Sequence, residues 1–164
     1  LERFEVFILD RDGRTESGFA RYLEYVERNE SRFPPGALGL VRSNWYYGFT
    51  DHRAPHDSRL ESATMVEQPT DLSAPWSDRA VSLVIRLRGA YDDGEITLRY
   101  PRLFSCHLDS FAIDEGHRDW RYDELRLDDR GHLVHEIEWC GSRDTGRWLI
   151  TSEDIEHRWL ADDT

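Results

Sequence analysis

The stretch Val81-Ser82-Leu83-Val84-Ile85-Arg86-Leu87-Arg88, then Asp92-Asp93-Gly94, then Ile96-Thr97-Leu98-Arg99-Tyr100, decides the fold class. Apolar residues fall at every second position on both sides of the Asp-Asp-Gly segment, which is the pattern of a half-buried β-strand, and Asp-Gly is turn chemistry. The stretch therefore reads as an antiparallel hairpin. A two-residue turn at Asp93-Gly94 sets Tyr91 opposite Ile96 and Leu87 opposite Tyr100, gathering the apolar side chains on one face. A slip by one residue would divide them. The same turn opposes Arg88 to Arg99, and a four-residue turn opposes Arg86 to Arg99, so either register calls for an acidic neighbour.

Toward the C-terminus, Pro101 interrupts the ladder and Leu103 to Leu108 resumes it. A second hairpin follows, from Trp120 to Leu127, through Asp128-Asp129-Arg130-Gly131, and back along His132 to Trp139. Arg147 to Thr151 adds a last strand. Ser152 with Glu153 and Asp154 resembles a helix start, with Ile155 and Trp159 at i, i+4 as its apolar stripe.

Toward the N-terminus, Arg59 to Glu67 is a weak strand, and Gln68 to Asp78, with two Pro, two Ser and an isolated Trp76, reads as a loop or flap. Trp45-Tyr46-Tyr47-Gly48-Phe49 has no clear period and is expected to be a packed loop. Pro34-Pro35-Gly36 starts a short helix through Ala37 to Arg42. Before it, Phe19, Tyr22, Leu23 and Val26 fall at i, i+3, i+4 and i+7, an amphipathic helix capped by Thr15. Phe4, Val6 and Ile8 alternate ahead of Arg11-Asp12-Gly13 as an opening strand. The expected fold is one α+β domain over residues 1–164: an antiparallel sheet of five or more strands with an N-terminal amphipathic helix and a short C-terminal helix. Residues 1–44 supply a strand and helices, 45–80 a loop-rich segment, and 81–164 the hairpins and terminal helix. The Pro101 interruption and the mixed edge residues do not advertise an open sheet edge.

Composition narrows the function classes. The chain has 164 residues, enough for a continuous core without a metal or disulfide staple. Its 33 acidic residues outweigh 21 basic ones, all Arg, for a net charge of -12. That field repels phosphate backbones and anionic lipid and attracts basic partners, so direct nucleic-acid and membrane binding are disfavoured. No run reaches the roughly 20 apolar residues of a spanning helix. Leu1 to Asp10 lacks the charged and apolar regions of a leader, which points to the cytoplasm. Cys106 and Cys140 have no C-x-x-C spacing and read as free thiols. There is no Gly-rich phosphate loop and no nucleophile elbow, and no cofactor is expected.

Two constellations could carry chemistry. Symmetric pairing of the second hairpin sets Trp120 opposite Trp139, Tyr122 opposite Ile137, Glu124 opposite His135 and Arg126 opposite Leu133 on one face. A Glu-His pair can orient an imidazole for acid-base work, but a buried structural pair is several times commoner. On the other face Asp123 lies beside Glu136 and Arg121 beside Glu138, and the opposed carboxylates call for Arg121 or Arg126, or for a metal completed by Asp119 or His117. The densest His/Asp cluster is His52, His56 and Asp57, weak metal candidates because Pro55 breaks the helix that would align the two histidines. If the protein were an enzyme, His56, Asp57, Glu124 and His135 would be its catalytic candidates.

His56-Asp57-Ser58 before a strand, Tyr91-Asp92-Asp93-Gly94-Glu95-Ile96 in a hairpin, and Gly116-His117 leading to His135-Glu136-Ile137-Glu138-Trp139 resemble small uncharacterised bacterial proteins. Some of those resemble immunity proteins of toxin systems. The resemblance covers about the C-terminal two-thirds of the chain through short motifs and brings no catalytic residues with it. Excess negative charge and aromatic anchors lead to the expectation of a non-catalytic, acidic binding protein for a basic partner, and the resemblance gives it one concrete form, an immunity protein that neutralises a basic bacterial toxin. The surface expected to meet that partner is Asp92, Asp93, Asp123, Asp128, Asp129, Glu136, Glu138 and Trp76. The alternative is a small metal-assisted hydrolase built on the His/Asp cluster.

Overall fold

A computed structural model describes residues 15–69, 71, 73–109, 114 and 116–163, and the opening strand expected at Phe4 to Ile8 lies outside them. Two helices, α1 (Thr15–Arg28) and α2 (Pro35–Arg42), precede eight strands. These are β1 (Arg59–Gln68), β2 (Ala80–Arg88), β3 (Gly94–Tyr100), β4 (Leu103–Asp109), β5 (Asp119–Leu127), β6 (Leu133–Cys140), β7 (Thr145–Ser152) and β8 (Glu156–Ala161). All neighbours pair antiparallel, in the order β4-β7-β6-β5-β1-β2-β3-β8. The α+β class and the antiparallel sheet are as the periodicity indicates.

The sheet is two four-stranded halves joined at one point. β1 and β5 share the single partner pair Arg59 and Asp119, and beyond it the strands part. The inward faces of both halves, with Leu83, Ile85 and Leu98 from one and Trp120, Ile137 and Trp139 from the other, belong to one core cluster that also takes in Tyr22, Val26, Leu40 and Val41 from the helices. Each fully buried side chain of this size contributes about 2 kcal/mol by leaving water.

α1 fills the opening beside β5. Tyr22 and Val26 are buried and Phe19 packs on the core, whereas Leu23 is left exposed. The Tyr22 hydroxyl donates to the Leu125 carbonyl at 2.8 Å and accepts the Leu125 N–H at 3.0 Å, and the Tyr25 hydroxyl accepts the Leu127 N–H at 2.9 Å. Two tyrosines thus bond the edge of β5 that β1 leaves, satisfying backbone groups that burial would otherwise penalise.

Three expectations are corrected. The β2–β3 register pairs Leu87 with Ile96 and Leu83 with Tyr100, keeping the expected parity but with a longer turn, Gly89 to Gly94. The turn lengthens where the Trp159 ring packs: a Cβ on Gly94 would lie 2.4 Å from that ring. This register opposes Arg88 to Glu95 and separates the arginines, and Arg86 and Glu95 form the expected ion pair.

The C-terminal helix is strand β8, paired with β3. Ile155 is buried and His157 and Trp159 are half-buried, a period of two that overrides the i, i+4 reading. Asp154 is indeed a cap, but for α2: its carboxylate accepts the Gly36 and Ala37 N–H groups at 2.9 and 3.0 Å.

The sheet also has an open edge. Past Arg59, β1 has no strand partner among the described residues on the side away from β2.

Candidate functional site

A β-bulge at Arg121 sets the geometry of the second hairpin. Trp120 faces Trp139 as expected, but the extra residue shifts the ladder so that Tyr122 faces Glu138, Asp123 faces Ile137, Glu124 faces Glu136 and Leu125 faces His135. Asp123 rather than Glu124 therefore shares the inner face with His135.

There it forms a closed polar network. His135 Nε2 lies 2.9 Å from Asp123 Oδ2, and His135 Nδ1 lies 2.7 Å from the Tyr100 hydroxyl. The Tyr46 hydroxyl donates to Asp123 Oδ2 at 2.9 Å and Trp120 Nε1–H to Oδ1 at 3.1 Å. Every donor is satisfied when Nε2–H donates to Asp123 and Nδ1 accepts from Tyr100. Burial holds the Tyr46 and Tyr100 hydroxyls well above the usual phenol range, with Asp123 adding to the shift. His135 is 0% and Asp123 4% exposed, so no substrate reaches the pair. Its arrangement is that of a structural network inside the core.

On the other face of β5 and β6, Glu124 and Glu136 stand opposite one another. Arg126 bridges them: Nη1 is 2.7 Å from Glu124, and Nη2 bonds Glu136. Arg147 reaches Glu136 at 3.0 Å and Glu138 at 3.8 Å. The expected relief by Arg126 is present, between Glu124 and Glu136 rather than Asp123 and Glu136. Arg121 approaches Glu138 only to 4.0 Å. Because Asp123, Glu136 and Glu138 are buried, they are not part of the surface a partner could meet.

The His/Asp cluster divides. His52 stacks on Tyr91 at 4.1 Å, and its Nδ1 meets Asp93 at 2.5 Å. His56 stacks on Phe49 at 4.0 Å and lies against Tyr122, with Nδ1 3.2 Å from Asp57. Asp57 takes a positive φ of 61° and its N–H donates to the Trp120 carbonyl at 2.7 Å, locking the loop onto β5. His56 thus packs on Tyr122 and His135 bonds Asp123, neighbours whose side chains leave opposite faces of β5. Among the described residues, no three His, Cys, Asp or Glu are grouped to hold a metal.

His56 and Asp57 line a small pocket with Asp119 and Cys140, and Arg121 Nη1 donates to the Cys140 sulfur at 3.3 Å. Cys140 and Cys106 are free thiols. Burial, with Asp57 nearby, raises the Asp119 pKa. Asp119 and Cys140 also line a cleft of about 740 Å³ at the β1–β5 junction. Its arginines are answered in place: Arg59 by Asp92, Arg88 by Asp162 at 2.8 Å, and Arg118 by Asp144 at 2.5 Å.

The remaining expected partner residues are at turns. Asp92 and Asp93 are exposed in the β2–β3 turn, engaged by Arg59 and His52. Asp128 caps its own turn, accepting the Arg130 and His132 N–H groups at 2.9 and 2.8 Å, while Asp129 is exposed.

The largest surface anomaly lies elsewhere. From Ala63 to Gln68, β1 is exposed on both faces, so the outer half of the β1–β2 hairpin projects as an arm. Met65 is 52% exposed, and Trp76, in the connection to β2, is 81% exposed with its indole 4.2 Å from the Arg79 guanidinium. Glu67 in β1 and Asp71 and Asp78 in the connection to β2 are exposed. The exposure of Trp76 agrees with its isolation in a Pro- and Ser-bearing loop. The β1 edge was missed, although the run Ala63-Thr64-Met65-Val66 lacks the alternation of a strand with one face on a core. No helix among the described residues is long and apolar enough to cross a membrane. No family model, no curated protein and no solved structure matches the chain.

Proposed function

We propose that this protein is a non-catalytic binding protein that neutralises a basic protein partner, and that its concrete form is a bacterial cytoplasmic immunity protein against a toxin. The observation that carries this reading is Trp76, a large aromatic side chain 81% exposed on a projecting arm. Such a residue stabilises no core, and Trp is the residue type most enriched among the anchors that dominate protein interfaces. The same end of β1 and the connection to β2 carry the exposed carboxylates Glu67, Asp71 and Asp78, on a chain of net charge -12. Acidic groups around an aromatic anchor favour a basic patch and speed its approach.

A metal-assisted hydrolase, the alternative, would need His56 beside His135, and the two pack on opposite faces of β5. The reading is tested by using the protein as bait in lysate and medium of its source, at low and at high salt. The expected result is one stoichiometric basic partner, released as salt rises, whose capture falls by about tenfold or more in Trp76→Ala. Absence of a partner at either salt, or equal capture by Trp76→Ala, would overturn it.

A further inference from the structure

We infer that the free edge of β1, from Glu61 to Gln68, is a docking edge on which a basic, extended segment of the partner adds as a new strand; this rests on the binding function proposed above. A strand with one unpaired side presents a row of N–H and C=O groups that another extended chain can complete. β1 has β2 on one side and, past Arg59, nothing among the described residues on the other.

Among the described residues three strands have a free side, and they differ. β4 bonds β7 alone and carries His107 and Asp109, with Arg102 just before it. β8 bonds β3 alone and carries both Glu156 and Arg158, and its His157 is tied to the Arg53 carbonyl at 3.0 Å. The free length of β1 carries only acidic charges, Glu61 and Glu67. Arg88 approaches Glu61 at 3.5 Å, while Glu67 meets no cation among the described residues. Among the described residues nothing guards this edge: Pro69 lies just beyond it, and no Lys or Arg stands within it.

The two faces of the arm complete the argument. Met65 and Val66 are neighbours in β1, so their exposed side chains leave opposite faces, and an added strand with alternating apolar residues would meet one of them on either side. Glu67 shares the face of Met65, so an added strand with its apolar residues on the face of Val66 sets its basic residues on the face of Glu67. The occupant is therefore a β-forming segment alternating basic and β-branched residues. A second copy of this chain pairing through its own β1 would bring only further carboxylates to that edge.

The test uses the full chain and three synthetic peptides of about twelve residues. One alternates Arg and Val, the second has the same charge with two Val replaced by Pro, and the third alternates Glu and Val. Binding is measured by calorimetry, and amide hydrogen exchange locates it. The alternating Arg/Val peptide is expected to bind at least about tenfold more tightly than either of the others and to slow exchange within Glu61 to Gln68, with no gain on β4 or β8. Equal binding of the two basic peptides with exchange at 61–68 unchanged would refute strand addition while leaving a basic partner in place. Protection of β8 or β4 instead, or a dimer already protected at 61–68 without peptide, would also refute it. Failure of both basic peptides together with an empty bait experiment would remove the binding function itself.

Discussion

The β5–β6 and β1–β2 hairpins are of similar length, lie in the same sheet, and handle polarity in opposite ways. β5 and β6 take Asp123, Glu124, Arg126, His135, Glu136 and Glu138 out of water. β1 and the connection to β2 leave Met65, Val66 and Trp76 in it. In the first hairpin each buried charge meets a partner that offsets its desolvation, so the polar groups are part of the scaffold. In the second, the apolar groups stay in water, with the Arg79 guanidinium 4.2 Å from the Trp76 ring. Polarity alone would place the first hairpin at the surface and the second in the core, and the geometry buries the charges of the first and exposes the apolar groups of the second.

The largest effect that could break this contrast is expected at Asp123. Replacing it in Asp123→Leu strands the Tyr46 hydroxyl, the Trp120 indole N–H and His135 Nε2 in the core together. The expected loss is about 4 kcal/mol in urea unfolding. Asp123→Asn, which keeps one carbonyl acceptor, should recover part of it. A loss below about 1 kcal/mol for the leucine variant would mean that the network is not a structural unit.

Arg126 comes next. Arg126→Met removes the guanidinium that bridges the opposed, buried Glu124 and Glu136, while Arg147 still reaches Glu136 at 3.0 Å. The expected cost is about 3 kcal/mol, and adding Glu124→Gln should return most of it, because the repulsion and one buried charge disappear together. If the double variant were no more stable than the single one, the salt bridge would not be what Arg126 contributes.

A smaller test asks whether burial of ionisable groups is confined to β5 and β6. Burial lowers the pKa of His157 in β8, more than its bond to the Arg53 carbonyl raises it, and burial likewise lowers that of His117. A histidine depressed in the folded state takes up its proton first in the unfolded chain. Stability from these two residues is therefore full above about pH 6.5 and falls as pH drops through that value toward the depressed ones. Unfolding free energies measured from about pH 7 to about pH 5 should decline, and less steeply in His157→Gln. An unchanged slope would show that His157 is no more buried in effect than an exposed histidine.

Legibility in the sequence followed how local each determinant is. Alternation at Val81 to Leu87 and at Ile96 to Tyr100 displayed the shared face of β2 and β3, because parity is a property of each strand. Their register was not legible: the turn runs from Gly89 to Gly94, and a distant indole, Trp159, rests on Gly94. The bulge at Arg121 left no mark either: Trp120 to Leu127 and Leu133 to Trp139 align plausibly with or without it, and the choice moves His135 from Glu124 to Asp123. Ser152-Glu153-Asp154 was read as a cap for the following residues when Asp154 caps α2. Among candidate site residues, Trp76 stood out and the divergence of His52 from His56 followed from Pro55. The acidic residues of β5 and β6 misled because charge was equated with exposure, and only tertiary contacts reveal that Arg126 and His135 draw them inward.

The smallest expected effect on stability sharpens the contrast most. Trp76→Ala and Met65→Ser, singly or together, remove apolar surface that water already reaches, so unfolding free energy should stay within about 0.5 kcal/mol of the parent. The Arg79 guanidinium 4.2 Å from the Trp76 ring adds little, because an exposed cation–π contact is worth about 0.5–1 kcal/mol at most and Arg79 regains water when the ring is removed. The same residues replaced in a working interface would cost binding severalfold more than they cost folding. Asp123→Leu should show the reverse, a large loss of stability, with partner affinity unchanged in the fraction that remains folded. Measuring both quantities for both sites separates a scaffold from a docking arm: a Trp76→Ala chain that unfolds early would place the arm in the core's cooperative unit.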